Sequence, residues 1–88
     1  MTRSSTDFDL IRTVISFSMT GGKHVTAWDK RESPDVTRGI QTAITNGAPL
    51  LTYEGIGSKP SMIVSCDDII AVKVQEYDPQ LDRRSQQF

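Results

Sequence analysis

Few residues of this chain are able to do acid–base or nucleophilic chemistry, and they lie far apart in the sequence. His24 and Cys66 are the only histidine and the only cysteine. A thiolate nucleophile needs a base beside it, and a general base needs a positioned partner. The sequence nominates no third member of such a site. We therefore interpret Cys66 as a small, half-buried residue at a strand end, and we predict no catalytic residues and no enzyme.

Asp67 and Asp68 form the only adjacent pair of carboxylates. A hard cation needs six or more oxygen ligands, and no calcium-loop spacing surrounds these two residues. Aspartate also favours the backbone hydrogen bonds of a turn, so we interpret the pair as a turn between two strands. One histidine and one cysteine are too few for an ordinary zinc site. The sequence predicts no metal and no cofactor.

Two short glycine segments end in lysine, GGK at 21–23 and GIGSK at 55–59. A phosphate-binding loop is followed directly by a helix, whose N-terminus faces the anion. Here each segment leads into a predicted strand instead. We therefore expect hairpin turns, with contact to an anion through backbone amides and the lysine as the alternative.

Charge and hydropathy exclude several classes of partner. Ten Lys and Arg against eleven Asp and Glu leave a net charge of −1 over 88 residues, so there is no bulk attraction to nucleic acid or anionic lipid. Trp28 and Tyr53 could stack on bases, but basic and acidic residues are equally spread.

No run approaches the roughly 20 apolar residues of a membrane span, and the start lacks the pattern of a signal peptide. The lone thiol favours a reducing cytoplasm.

The first part of the chain has the pattern of a β-hairpin. Residues alternate between apolar and polar from Ile11 to Met19, which predicts a half-buried strand. Gly21 and Gly22 supply the positive φ angles of a tight turn. Residues 24–28 are the return strand, with Val25 and Ala27 facing the core.

A helix is predicted after this hairpin. We expect Ser33 to be the N-cap and Pro34 the first helical residue, with Asn46-Gly47 as the left-handed end. One apolar stripe should face the sheet, formed by Val36, Ile40, Ala43 and Ile44. Gly39, beside this stripe, would let the helix lie close to the sheet.

Three further strands are predicted, at 50–54, 62–65 and 69–76. In the last strand, alternation turns Ile70, Val72 and Val74 toward the helix and Ile69 and Ala71 away from it. The expected fold is α+β, a two-layer sandwich with one helix packed on a four- to five-stranded, mostly antiparallel sheet in β-β-α-β-β order.

The chain has room for one domain. We expect it to span residues 10–77, between a flexible tail at 1–9 and a second flexible tail at 78–88.

The segments SPDVTRGIQTAITNGAPLL and MIVSCDDIIAVKV resemble those of a family of small actinobacterial proteins of unknown function. The resemblance covers residues 11–76 and rests on the spacing of a hairpin, a capped helix and a closing hairpin. It implies the same ββαββ fold. The family has no settled activity, so no functional residue is carried over.

The open face of the sheet is the predicted functional surface. One helix covers one face, and alternation sends Val14, Trp28 and Ile69 to the other. Tryptophan is enriched at interface hot spots, so we expect a protein partner, or a second copy in a homodimer, to bind there. The alternative is that Trp28 folds over the edge of the core. A nucleic-acid-binding accessory protein and a small-ligand or nucleotide-binding domain are the competing functions. A bacterial operon or a phage is the expected origin.

Overall fold

The predicted N-terminal hairpin is confirmed in the computed structural model, which describes residues 10–79. Strand β1 is Thr13–Met19 and strand β2 is His24–Asp29, and the two pair antiparallel. A 3₁₀ turn at Thr20–Gly22 joins them, with φ angles of 82° at Gly21 and 77° at Gly22. These are left-handed values that glycine adopts without strain.

Strand β5, Ile69–Glu76, pairs antiparallel with the other side of β1 and completes a sheet of order β2-β1-β5. The alternation of β1 turns Ile15 and Phe17 to one face, where both are fully buried. Ala27 of β2 is buried on the same face, and Val72 and Val74 of β5 pack against it. This inner face carries the hydrophobic core.

The remaining strands form a second sheet, which corrects the prediction of one sheet of four or five strands. Strands β3, Leu50–Tyr53, and β4, Met62–Ser65, pair antiparallel only with each other among the described residues. Leu51, Tyr53 and Val64 turn inward and join the core. Because this hairpin packs by its apolar face, it does not extend the first sheet through edge hydrogen bonds. The element order is β-β-α-β-β-β.

Helix α1, Ser33–Thr45, lies over the same inner face and contacts β5. Val36 and Ile40 are buried, and Ala43 packs against the core. Ile44 is 47% exposed, so its predicted burial on the sheet is wrong. The helix covers the β5 side of the inner face, and Ile44 lies at the margin of that contact.

The helix begins differently from the prediction. Glu32 is the N-cap and makes no side-chain cap hydrogen bond, so Ser33 is not the cap. The Ser33 hydroxyl instead lies 3.2 Å from the Thr13 hydroxyl, which donates a hydrogen bond of 2.7 Å to the Arg31 carbonyl. Thr13 is completely buried, and a buried hydroxyl needs such partners. The Ser33 side chain therefore points to the buried Thr13 hydroxyl and not to the amides at the start of the helix.

The end of the helix agrees with the prediction. Asn46 is the C-cap, and Gly47 follows with a φ angle of 74°. The Gly47 amide donates to the Ile44 carbonyl, and the Ala48 amide donates to the Ala43 carbonyl. This pair of bonds is the Schellman motif, which satisfies carbonyls left open at a helix end.

A β-bulge in β5 overturns part of its predicted alternation. Ser18 of β1 pairs with Ala71, but Met19 pairs with Ile69, so Ile70 is an extra residue. Ile69 packs against the core and Ile70 is 68% exposed, the reverse of the predicted orientations. An extra residue shifts the alternation by one position.

The predicted tail 1–9 and nearly all of the predicted tail 78–88 lie outside the described residues. Between residues 10 and 79, no helix is long and apolar enough to cross a membrane.

Candidate functional site

Two of the three residues predicted to form the partner surface do share a face of the sheet. Val14 and Trp28 are directly opposite each other in the β1–β2 pairing, on the face turned away from α1. Ile69 is not on this face, because the bulge turns it to the core. The apolar part of the open face is therefore the Val14–Trp28 pair, and both side chains are half-buried.

Lys59 covers the ring of Trp28. Its ammonium nitrogen lies 4.8 Å from the ring centroid, which is the geometry of a cation–π contact. Lys59 is only 9% exposed, so its alkyl chain is also held against the protein. The contact reduces the apolar surface that Trp28 offers to a partner.

The loop between β3 and β4 brings Lys59 to this position. The amides and carbonyls of Ile56 and Lys59 exchange two hydrogen bonds, of 3.2 and 2.9 Å. Ile56 is buried, and the Gly55 amide donates to the Ser61 hydroxyl at 2.9 Å. The segment is therefore a closed turn whose lysine contacts an indole. Sequence analysis missed this role because nothing in the sequence connects residue 59 to residue 28.

A polar cleft of about 300 Å³ lies beside Trp28. Within it, the Arg31 guanidinium donates to both Asp29 carboxylate oxygens, at 3.2 and 2.9 Å, and the Arg31 amide donates at 2.9 Å. Burial acts to raise the pKa of Asp29, but these hydrogen bonds from Arg31 lower it below its usual value. The Asp29–Arg31 ion pair also raises the pKa of Arg31, chiefly through the same side-chain hydrogen bonds.

Tyr53 forms the inner wall of this cleft. Burial raises the pKa of Tyr53 to about 12, and the charge of Asp29 adds to the effect. At neutral pH the cleft therefore holds a paired carboxylate, a paired guanidinium and a protonated phenol. None of these three groups is poised to accept or donate a proton at pH 7.

The remaining chemical candidates are not brought together. His24 is exposed and pairs with Ser18, which places it on the face opposite α1, whereas Cys66 packs against the core. Asp67 and Asp68 lie in the predicted turn, a 3₁₀ turn, where the Thr20 hydroxyl is 3.4 Å from an Asp68 carboxylate oxygen. Among residues 10–79, no three His, Cys, Asp or Glu side chains are placed to hold a metal ion.

A second depression of about 340 Å³ lies between α1 and β5. Val72 and Val74 form its floor on the strand side, and Ile40 and Ile44 form its apolar wall on the helix side. Thr37, Gln41 and Thr45 complete the lining. We call this depression the α1–β5 groove.

The groove lies along a strand edge. Within residues 10–79, β5 pairs with β1 alone, so its other edge presents backbone N–H and C=O groups that no described strand takes up. The strand is eight residues long, and Ile70 at its start is among the most exposed large apolar residues. An open strand edge is a template for pairing with another chain.

Comparison of the chain with protein-family models, with curated proteins and with solved structures gave no match.

Proposed function

We propose that this protein is a non-enzymatic protein-interaction module that takes up an extended segment of a protein along the outer edge of β5. The observation that carries the proposal is the position of the outer β5 edge, which no strand within residues 10–79 pairs with, beside the α1–β5 groove. The edge supplies backbone hydrogen bonds, and the groove takes alternate side chains of the added strand. The strand edge and the side-chain groove, which are the two components of recognition by strand addition, thus lie next to each other.

The ligand has a definite chemistry on this proposal. It is an extended segment in which every second residue is apolar, because side chains on one face of a strand repeat every two residues. Those side chains would lie against Val72, Val74 and Ile44, of which Ile44 is nearly half exposed. Burying such exposed apolar surface is favourable.

The open face gives less support to the same function. Its apolar pair, Val14 and Trp28, is half-buried, and Lys59 lies over the indole. The positions around the pair are polar, namely Ser16, Thr26, Lys73 and Gln75. A polar outer face is what an antiparallel sheet presents to water. We therefore place the partner on the β5 edge, in a reducing cytoplasm as the lone Cys66 favours.

A peptide selection with two matched variants tests this function. Random peptides displayed on phage are selected on the wild-type protein, and the enriched sequences are synthesised and their Kd values measured. Ile70→Lys places a charge on the β5 edge, and Ile63→Lys places one on the outer face of the β3–β4 hairpin. The two side chains are matched in exposure, at 68% and 69%.

We expect selected peptides with alternating apolar residues. Ile70→Lys should raise their Kd by at least about tenfold because the charge must lose water in the complex. Ile63→Lys should leave the Kd unchanged. A selection without enrichment, or peptides weakened by Ile63→Lys instead, would overturn the proposal.

A further inference from the structure

We infer that the open face of the β2-β1-β5 sheet binds a short stretch of single-stranded nucleic acid. This inference goes beyond the proposed function, because the open face is turned away from α1, whereas the strand-addition site is the β5 edge beside α1. Its basis is a separation of charge between the two faces of the sheet, which the net charge of −1 for the whole chain conceals.

The side chains of the open face follow from the strand pairings. Arg12, just before β1, is exposed and alternates with Ile11 and Thr13, which are buried on the inner face. The face carries cations, hydroxyl groups, an amide and an indole. Its residues are Arg12, Val14, Ser16 and Ser18 along β1, His24, Thr26 and Trp28 on β2, and Ala71, Lys73 and Gln75 on β5.

The acidic residues within 10–79 all lie away from the open face. Asp29 and Glu76 both pair with Thr13, which is completely buried on the inner face, and directly opposite side chains share a face. The other acidic residues lie outside the three paired strands, at Glu32, Asp35, Glu54, Asp67, Asp68 and Asp78. The charge of the open face is therefore positive, although the chain as a whole is nearly neutral.

Charge complementarity identifies the partner as a polyanion. Arg12 and Lys73 are exposed at separate points of the face, and Lys59 adds a cation beside Trp28, 4.8 Å from the ring centroid. Cations on a surface without acids attract phosphate groups and position them. About three phosphate contacts make a weak complex, with a Kd on the order of 10–100 µM.

The remaining side chains fit the bases of a nucleic acid better than an acidic peptide or a lipid headgroup. Trp28 is half-buried, so part of its indole lies at the surface, where a base can stack. Thr26 and Gln75 are exposed, and their hydroxyl and amide groups can hydrogen-bond to base edges. In a duplex the bases are stacked on one another, so only a single strand offers them to a sheet face. Three strands have room for about two or three bases.

Fluorescence anisotropy with the full chain tests the inference. The probe is a labelled DNA strand of mixed sequence and about 12 nucleotides, and the RNA of the same sequence is a second arm. The comparison ligands are the DNA duplex, inorganic polyphosphate, polyglutamate, and phosphatidylcholine vesicles containing phosphatidylserine. We expect a single strand to bind at least about tenfold more tightly than any of these. The logarithm of its binding constant should fall with the logarithm of the salt concentration with a slope of about −2, since each of about three contacts contributes about −0.7.

Two matched pairs of variants locate the site. Arg12→Gln and Arg38→Gln each remove an exposed guanidinium, from the open face and from α1. Arg12→Gln should raise the Kd at least about fivefold at about 50 mM salt and make the salt slope shallower by about 0.7, and Arg38→Gln should leave both unchanged. Thr26→Glu and Thr52→Glu each place an acid at an exposed strand position, on the open face and on β3. Only Thr26→Glu should weaken binding, and thermal unfolding curves verify that all four variants are folded.

Trp28 fluorescence tests the contact with a base. Trp28 is the only tryptophan of the chain, so its emission reports on this face alone. The single strand should quench the emission, because a base stacks on the indole. Polyphosphate has no base and should leave the emission unchanged.

A single strand that binds no more tightly than duplex or polyphosphate would overturn the inference, and so would bound strand that leaves Trp28 unquenched. Tighter binding of polyglutamate or of the vesicles would make the ligand an acidic peptide or a membrane instead. Equal effects of Arg12→Gln and Arg38→Gln would place the contact outside the open face. None of these results bears on peptides selected at the β5 edge, so the proposed function stands or fails separately.

Discussion

Among the residues that the structure describes, Tyr53 is the titratable group whose pKa is most strongly shifted. Its side chain is 6% exposed, and its ring centroid lies 6.0 Å from that of Phe17 in the core. Burial, with a smaller contribution from Asp29, raises the pKa of Tyr53 from 10.0 to about 12. The folded protein therefore holds a phenol proton that the unfolded chain releases at lower pH.

The sign of the resulting pH dependence can be stated. Between pH 10 and 12 the unfolded state binds fewer protons than the folded state, so the free energy of unfolding falls as pH rises. Tyr53 contributes a slope of up to about 1.4 kcal/mol per pH unit. Tyr53→Phe should have a shallower decline than wild type in urea unfolding at pH 9 to 12. Equal declines in the two proteins would contradict the assigned pKa.

At the scale of the element, the β3–β4 loop depends on a glycine that the sequence does not distinguish from the others. A Cβ at Gly55 would lie 2.9 Å from the Lys59 carbonyl oxygen and 3.3 Å from the Ser61 amide nitrogen. Both are backbone atoms, so the loop itself would have to move. At Gly39, the nearest atom to such a Cβ is the Arg31 guanidinium nitrogen Nη1, at 3.4 Å. The helix uses this position for contact with a flexible side chain and not for close approach to the sheet.

These two glycines form a matched pair of substitutions. Gly55→Ala should lower the free energy of unfolding and displace Lys59 from Trp28, which shifts tryptophan fluorescence to longer wavelength. Gly39→Ala should raise the free energy of unfolding by up to about 1 kcal/mol, because alanine favours a helix. Denaturant titrations followed by fluorescence measure both effects. A Gly55→Ala protein with unchanged stability and emission would show that the loop does not depend on this contact.

At the scale of the whole molecule, one core joins the two sheets and the helix. Ile15 and Phe17 come from the first sheet, Ile40 from α1, and Leu51 and Val64 from the β3–β4 hairpin. Neither sheet closes a core by itself, since each buries its apolar face against the other elements. We therefore expect the described domain to unfold as one unit.

Ile40→Ala tests this cooperativity. Removing a buried isoleucine side chain should cost about 2–5 kcal/mol, a large part of the stability of so small a domain. Trp28 fluorescence reports on the first sheet, and hydrogen exchange of the Val64 amide reports on the second. Ile40→Ala should lower the free energy of unfolding by the same amount whether it is measured by Trp28 fluorescence or by exchange of the Val64 amide. A loss below about 1 kcal/mol, or a loss confined to one sheet, would contradict a shared core.

Much of the local structure was predictable from the sequence alone because it depends on neighbouring residues. The alternation from Ile11 to Met19 determined the buried face of β1, and Gly21-Gly22 determined its turn. Asn46-Gly47 determined the end of α1. Such features follow from side-chain periodicity and from the φ angles that glycine permits.

The tertiary structure decided the features that depend on contacts between distant residues. The bulge at Ile70 exists only in the pairing of β5 with β1, and it moved Ile69 from the predicted surface to the core. The Lys59–Trp28 contact joins two segments 31 positions apart, and the burial of Thr13 determined the role of Ser33. Whether β3 and β4 would pair with the first sheet or pack on it was also open, because both arrangements bury the same alternate residues. Packing across the core selects between them, and that choice leaves the β5 edge beside its groove.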